Sequence, residues 1–589
     1  VTGVQTCALP ISQMVSKVEN YLSQSGASMT PWRNSITFLC DDAESNQFFD
    51  HSESYASQIR DTGGHNLVVD KIYLDAYSQE NTPSGQLAPQ VNQALNNRID
   101  KGTMILNYVG HGGEVQLAEE RIMQRADVNS WRNGPKYPLM ITGTCEFSRY
   151  DDHTRTSLGE YAFLNEYGGM IAMFTTARVT YGVNNKKFIS RVYDHLFQLE
   201  NGKRLRLGDV YRMAKGEGNM SDRMYVFFGD PALRLPMPTW TVETTRFDDT
   251  IKALQPTTIE GVVKDGNGQV ASSFNGLVYV SVYDKETIYQ TKGDEDTPQR
   301  EFGLYNSLVF NGKACVENGR FSLDFVVPRD ISYRYGKGMV SFYATDSVTD
   351  ASGKFEDFII GGFYENAVMD ETSPQVRLFI DDERFVSGGV TGDSPLLLAY
   401  VEDESGINTT GAGIGHDIVA TLSGPTSGSF VLNDYFESDL GDQSKGNLRF
   451  RFNGLQEGDY LLTLKVWDIY NNSGTATINF KVRNSEAMVL ENPYCAPNPV
   501  VDGTNFSFGH NQIGNNMDVR ICVYDILGRL VAIIHEQVAG TSLRTNPIYW
   551  NGRSKGGDKL PAGVYVYSIT VTNDQHDTAT VSSKLIITP

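Results

Sequence analysis

The sequence predicts a multidomain protein: one α/β domain on a mainly parallel sheet, then a series of β-sandwich, immunoglobulin-like domains. Three observations predict it. Between residues 35 and 237, apolar runs alternate with amphipathic stretches, as in parallel strands covered by helices on both faces. Beyond about residue 240, short alternating strands such as "LVYVSVYD" and "GRFSLDFVV" are separated by Gly, Asp and Asn turns. And 589 residues exceed the roughly 250–300 at which a single core stops growing.

The elements follow in order. The opening "VTGVQTCALPI" lacks the basic start and long apolar centre of a signal peptide. It reads as the translation of a sequencing-library adaptor, so residues 1–12 are set aside as non-native and the chain is taken as truncated at its N-terminus. "SITFLC" (35–40) reads as a buried strand, followed by a helix over 46–62. "NLVVDKIYL" (66–74) precedes a helix over 86–100, and "TMILNYV" (103–109) precedes one over 117–131. "PLMITGTC" (138–145) leads to a helix whose start carries the capping-box pattern Ser157-x-x-Glu160. "GGMIAMFTT" (168–176) precedes a long helix over 184–200, and the prolines of "YVFFGDPALRLPMP" (225–238) close the unit. The resulting domains are 13–238 for the α/β unit, then 239–365, 366–483 and 484–589 for three β units.

Charge and cysteine content exclude several function classes. A formal charge of −21 opposes nucleic-acid binding and a simple electrostatic hold on an anionic membrane. No window holds the ~18 uninterrupted apolar residues that a spanning helix needs. Without Cys7, the cysteines Cys40, Cys145, Cys315, Cys495 and Cys522 form no CxxC pair, which argues against a disulfide framework or a zinc site and predicts no metal centre.

The chemistry concentrates at two strand ends. In open α/β sheets ligands sit beyond the carboxyl ends of the strands. In "NYVGHGGE" (107–114) His111 lies just past the third strand, and Cys145 ends the fourth. Were those strands neighbours, both side chains would emerge on one rim. A cysteine attacks as its thiolate, favoured by an adjacent imidazolium, and the histidine then protonates the leaving group. Gly110, Gly112 and Gly113 would allow a tight turn and a close substrate, with the amides of Gly112 and Cys145 as oxyanion donors. The alternative is a glycine-rich turn beside a buried thiol. Cys40 also ends a strand, but "CDDAE" surrounds it with anions that oppose a thiolate.

"NYVGHGGE" and "TCEFSRYDD", which set His111 and Cys145 34 residues apart, together with "TTARVTYGVNN" and "FGDPALRL", resemble the gingipain-type (C25) cysteine peptidases over about 200 residues. Among these it is most similar to the branch of type IX secretion sortases and signal peptidases of Bacteroidetes. The resemblance implies a caspase-like fold, Cys145 as nucleophile and His111 as general acid/base. It also implies an upstream acid that orients the histidine. "FFDHSESYA" offers Glu53 and Asp50 for that role, of which Glu53 is taken. Gly112, Gly113 and Glu146 are expected on the oxyanion and substrate side, with Glu114 and Glu146 either shaping a pocket or lying on the surface. "APNPV", "VRICVYDILGRLV" and "WNGRSKGGDKLPAGVYVYSI" resemble a type IX C-terminal sorting domain. Implied partners are cargo proteins with such domains, the outer-membrane barrel PorV and attachment-complex proteins, and anionic lipopolysaccharide as acceptor. The implied location is the cell surface, reached through the periplasm. No cofactor is required; relatives hold structural calcium, but no EF-hand-type loop is present here. Two other readings stand beside the sortase: a secreted digestive peptidase of gingipain type, and a non-catalytic adhesin or scaffold.

Overall fold

The computed structural model describes residues 2–23, 28–83, 85–216, 221–294, 297–367, 370–410, 415–483, 488–510, 516–539, 544–573 and 577–588. A first helix, α1 (Thr2–Leu22), runs through the segment set aside above. Its Lys17 Nζ reaches the carbonyls of Phe163 and Asn165, at 3.0 and 3.2 Å. Among the described residues no helix is long and apolar enough to cross a membrane.

The α/β domain alternates as the apolar runs dictate. Its elements are β1 (Ser35–Cys40), α2 (Gln47–Asp61), β2 (Val68–Tyr73), α3 (Pro89–Lys101), β3 (Ile105–Val109), α4 (Arg125–Ser130) and β4 (Leu139–Gly143). They continue with α5 (Leu158–Leu164), β5 (Ala172–Thr176), α6 (Gly182–Leu196), α7 (Leu207–Ala214) and β6 (Tyr225–Phe228). The sheet order is β6-β5-β4-β3-β1-β2, and only β6 runs antiparallel to its neighbour. β1, β3, β4 and β5 are buried along their whole length, which explains why they read as unbroken apolar runs rather than alternating ones. Two cores form, one on each face of the sheet. One is built around Phe38, Tyr55, Phe188 and Tyr193, the other around Leu39, Leu106, Met140 and Trp131. The capping box expected at α5 is present, with Ser157 N–H donating to Glu160 Oε2 at 2.8 Å.

Chain order sets where a ligand would sit. β1 leads to β2 on one side of the sheet, and β3, β4 and β5 follow on the other, so the order reverses between β1 and β3. The crevice beyond the carboxyl ends of β1 and β3 is this fold's switch point.

One expected helix is corrected. Residues 117–131 hold helix only from Arg125 to Ser130; before it, Gln116–Leu117 and Met123–Gln124 pair as a small antiparallel hairpin. Ala118 and Arg121 take positive φ (56° and 57°), which a helix interior does not allow. Leu117, Ile122, Met123 and Val128 all enter the same core, so the hairpin and the short helix after it bury their apolar residues together.

The remainder is β. A seven-stranded and a three-stranded sheet enclose the core around Phe274, Val280, Phe325 and Phe342. Four- and five-stranded sheets enclose the next, around Leu397, Phe450, Leu464 and Phe480. Three- and four-stranded sheets enclose the last, around Phe506, Trp550 and Tyr567. Alternating burial along strands such as Gly458–Trp467 gives the in-out pattern of antiparallel sandwiches. One departure matters for the site. The hairpin β7 (Thr287–Gln290) and β8 (Glu301–Leu304) leaves its sandwich and lies on the α/β domain, where Phe302 packs with Phe49 and Tyr73 at ring separations of 6.1 and 4.9 Å.

Candidate active site

Three loops meet at the switch point. The register of β3 with β4 ends at the pair Val109–Gly143, and His111 and Cys145 each lie two residues further on. Parallel neighbours are about 4.8 Å apart, so both side chains start from adjacent points of one rim. Two glycines permit this approach. A Cβ on Gly110 would sit 2.4 Å from Asp41 Cβ, and one on Gly112 would sit 2.7 Å from Thr144 Oγ1. Any side chain there would push the His111 loop away from β1 or from the Cys145 loop.

His111 is held from below and from one side. Its backbone N–H donates to Asp41 Oδ2 at 2.7 Å, and its carbonyl accepts from Tyr108 Oη at 2.5 Å and from Ala118 N–H at 3.0 Å. The edge of Phe48 meets the imidazole at a centroid distance of 5.4 Å and an angle of 89°. Glu44 Oε1 lies 3.4 Å from Nε2, and the histidine side chain is 47% exposed. Glu44 reaches this place through an unusual backbone: Glu44, Ser45 and Asn46 all have positive φ, 59°, 51° and 68°. Left-handed conformations cost non-glycine residues roughly 1–2 kcal/mol each, so the loop persists because its surroundings hold it. One of the holders is the β7–β8 hairpin, whose Pro298 carbonyl accepts from Asn46 Nδ2 at 2.7 Å.

Cys145 is partly buried. The N–H of Thr180 points at its Sγ from 3.4 Å, and the Thr180 carbonyl accepts from the thiol at the same distance. Hydrogen bonding among the described residues leaves over the amides of Gly112 and Cys145. Gly113 N–H, in contrast, is taken by Gln116 O at 3.1 Å, so the expected role of Gly113 is confined to leaving open space; a Cβ there would meet nothing within 4 Å. Glu146 (φ 48°) pairs with Arg149 at 3.5 Å. Glu114 is nearly buried between Arg149 at 3.0 Å and Arg155 at 3.6 Å, which ties the histidine loop to the cysteine loop.

Glu53, expected to orient His111, does something else. It accepts from Tyr73 Oη at 2.6 Å and pairs with Lys71 at 2.7 Å, joining α2 to β2. Asp50 pairs with Arg300 of the hairpin at 3.5 Å. The acid at the imidazole is Glu44, from the turn before α2 rather than from the helix. Sequence reasoning also missed Asp41 and Thr180. The one available signal was the acidic run "CDDAE" at the end of the first strand, beside the switch point. Burial, reinforced by Asp42, pushes the Asp41 carboxyl well above the usual carboxylate range, while the His111 amide pulls the other way.

Residues 6–236 match the sequence profile of peptidase family C25. Over this stretch the chain is similar to the C25 cysteine peptidases. Downstream of it, residues 489–585 match the CHU_C type IX secretion signal domain. No curated protein shows significant similarity to the chain. Among solved structures, dimeric latent PorU from Porphyromonas gingivalis is similar at 20% identity and a TM-score of 0.28. That match covers 94% of this chain and 64% of that one, so this chain spans less than two thirds of its length. The Arg-specific cysteine proteinase gingipain R (RgpB) is similar at 14% identity and a TM-score of 0.32, over 59% of this chain and 72% of that one. Fibronectin(III)-like modules of Clostridium thermocellum CbhA are similar at 12% identity and a TM-score of 0.15, over 36% and 93%.

Proposed function

We propose that the chain is a cell-surface cysteine endopeptidase in which Cys145 is the nucleophile and His111 the general acid/base. The supporting observation is the shared register of β3 and β4, which brings His111, Cys145 and two spare amides to one rim of the α/β domain. His111 accepts the Cys145 proton, and the thiolate attacks the scissile carbonyl carbon. The oxyanion faces the N–H groups of Gly112 and Cys145. As the C–N bond breaks, the imidazolium returns its proton to the leaving amine, and a thioester remains on Cys145. Water or an amine then attacks the thioester, and the thiol is restored. Glu44 at Nε2 stabilises the imidazolium and fixes the tautomer, leaving Nδ1 to exchange the proton.

The substrate reading is a sortase of the PorU kind: it removes C-terminal sorting domains from type IX cargo and transfers the cargo to an amine of anionic lipopolysaccharide, working with PorV and the attachment proteins. Support comes from the type IX signal domain on the same chain. It also comes from the apolar character of the segment beside Cys145, where the exposed Val179 and Tyr181 flank Thr180. An apolar surface suits a neutral peptide better than the Arg or Lys side chains a digestive enzyme of gingipain type would select. The test is cargo maturation in cells carrying Cys145→Ala. Uncleaved sorting domains are expected; normal cleavage rejects the reading.

A further inference from the structure

The third domain holds a second constellation far from Cys145 in sequence. Asp403 follows the strand β9 (Leu396–Glu402), Asp468 follows the strand β10 (Gly458–Trp467), and Asp370 lies in the segment that enters this domain from the one before. One carboxylate oxygen from each lies within 4.8 Å of the others. Asp403 and Asp468 are 4% and 0% exposed. Among the described residues no Lys or Arg pairs with any of the three.

Two of the acids are partly satisfied by their own loops. Asp468 Oδ1 accepts from the amides of Tyr470 and Asn472 at 2.9 and 2.7 Å, and its Oδ2 from Asn472 Nδ2 at 2.7 Å. Asp370 Oδ2 accepts from Ser405 Oγ at 2.6 Å. Asp403 is the exception. Its Oδ1 accepts from Ser405 N–H at 2.9 Å, but its Oδ2 is shielded from solvent and accepts no hydrogen bond among the described residues. A shielded carboxylate oxygen without a donor, facing two more carboxylates, is an arrangement that a cation completes.

We infer that Asp370, Asp403 and Asp468 form a binding site for a divalent cation of the calcium class. The donors are hard oxygens with no histidine or cysteine among them, which selects against zinc and copper. Ca²⁺ takes all-oxygen ligand sets rich in carboxylates, with mono- or bidentate Asp in a flexible geometry. Mg²⁺ keeps several waters and is bound through one or two carboxylates rather than a cage of three.

The location suggests what the cation would do. The same loops grip the preceding domain: Asn408 and Asn471 donate to Asp330 at 2.9 and 2.8 Å, and Arg329 N–H donates to Ile469 O at 3.0 Å. A cation on Asp370 would pin the connecting segment to these loops and stiffen the joint between the second and third domains.

The test uses the full chain, stripped with EDTA and titrated with Ca²⁺ or Tb³⁺. Trp467 adjoins Asp468, so bound Tb³⁺ should emit on tryptophan excitation and be displaced by Ca²⁺. Ca²⁺ should also raise the unfolding temperature of the stripped protein. Asp403→Asn should weaken Ca²⁺ binding by about 100-fold or more, abolish both responses and raise the unfolding temperature in EDTA, because it removes the unpaired charge. Asp370→Asn, in the connecting segment and less critical to folding, should abolish the responses too. Absence of both responses in the wild type, or their survival in either variant, overturns the proposal.

Discussion

The ends of β1 and β4 carry the same residue type at the same rim of one sheet, yet they are chemically opposite. Cys40, last residue of β1, is buried, and its thiol is pushed well above its usual value by burial first and by Asp41 next. Cys145 lies two residues beyond β4, partly open, with the Thr180 amide aimed at its sulfur. Position at a carboxyl edge therefore makes a cysteine available without making it reactive. Two further residues of chain, enough to leave the sheet, separate a packed thiol from a usable one. Asp41, which helps silence Cys40, has another use: it holds the His111 loop from beneath, while Glu44 further along the same loop meets the imidazole.

The sharpest break of this comparison is removal of either partner on the β3–β4 side. Cys145→Ala and His111→Ala should each lower kcat on a sorting-domain substrate on the order of 10⁴-fold or more, as when one member of a unit that acts together is lost. Cys40→Ala should leave kcat within about twofold, since that thiol only fills space. Comparable losses from Cys40→Ala and Cys145→Ala would remove the distinction. Next in size is labelling by a thiol-directed probe at neutral pH, followed by mass spectrometry. Cys145 should react about 100-fold faster than Cys40, by both exposure and thiolate fraction.

A smaller effect separates the two glutamates. Glu44→Gln should reduce kcat about tenfold, because the imidazolium formed during the reaction loses its counter-charge. Glu53→Gln should instead lower thermal stability through the Lys71 and Tyr73 contacts and leave kcat in place. A tenfold loss of kcat in Glu53→Gln and none in Glu44→Gln would restore the assignment drawn from sequence.

That misassignment shows where the sequence stops being readable. β1, β3, β4 and β5 were legible because each is buried over its length and so apolar over its length. His111 and Cys145 were legible because the strand ends place them, whatever the loops do. Glu44 was not, since it depends on three consecutive left-handed residues held partly by Pro298, over 250 positions away. The hairpin of residues 116–124 was hidden for a related reason. Its apolar residues enter the core beside a true helix while its backbone answers the hydrogen-bonding needs of the His111 loop. Asp41 was noticed only as a reason to dismiss Cys40, because nothing in a single strand end reveals which neighbouring loop will rest on it.

The smallest predicted effect tests Asp41 itself. Burial and Asp42 raise its carboxyl well above the unfolded value, so the folded state keeps a proton that the unfolded chain has released above about pH 4. The unfolded state then binds fewer protons than the native one, and this group's contribution to stability falls as pH rises through that window. Asp41→Asn has no proton to lose, while its side-chain oxygen can still accept from the His111 amide. The variant should therefore unfold at or below the wild-type temperature near pH 4 and gain on it as pH rises, by about 3 °C near pH 8. Thermal scans across that range decide the matter, and a difference independent of pH would mean that Asp41 is ionised in the folded protein and supports the His111 loop as an anion.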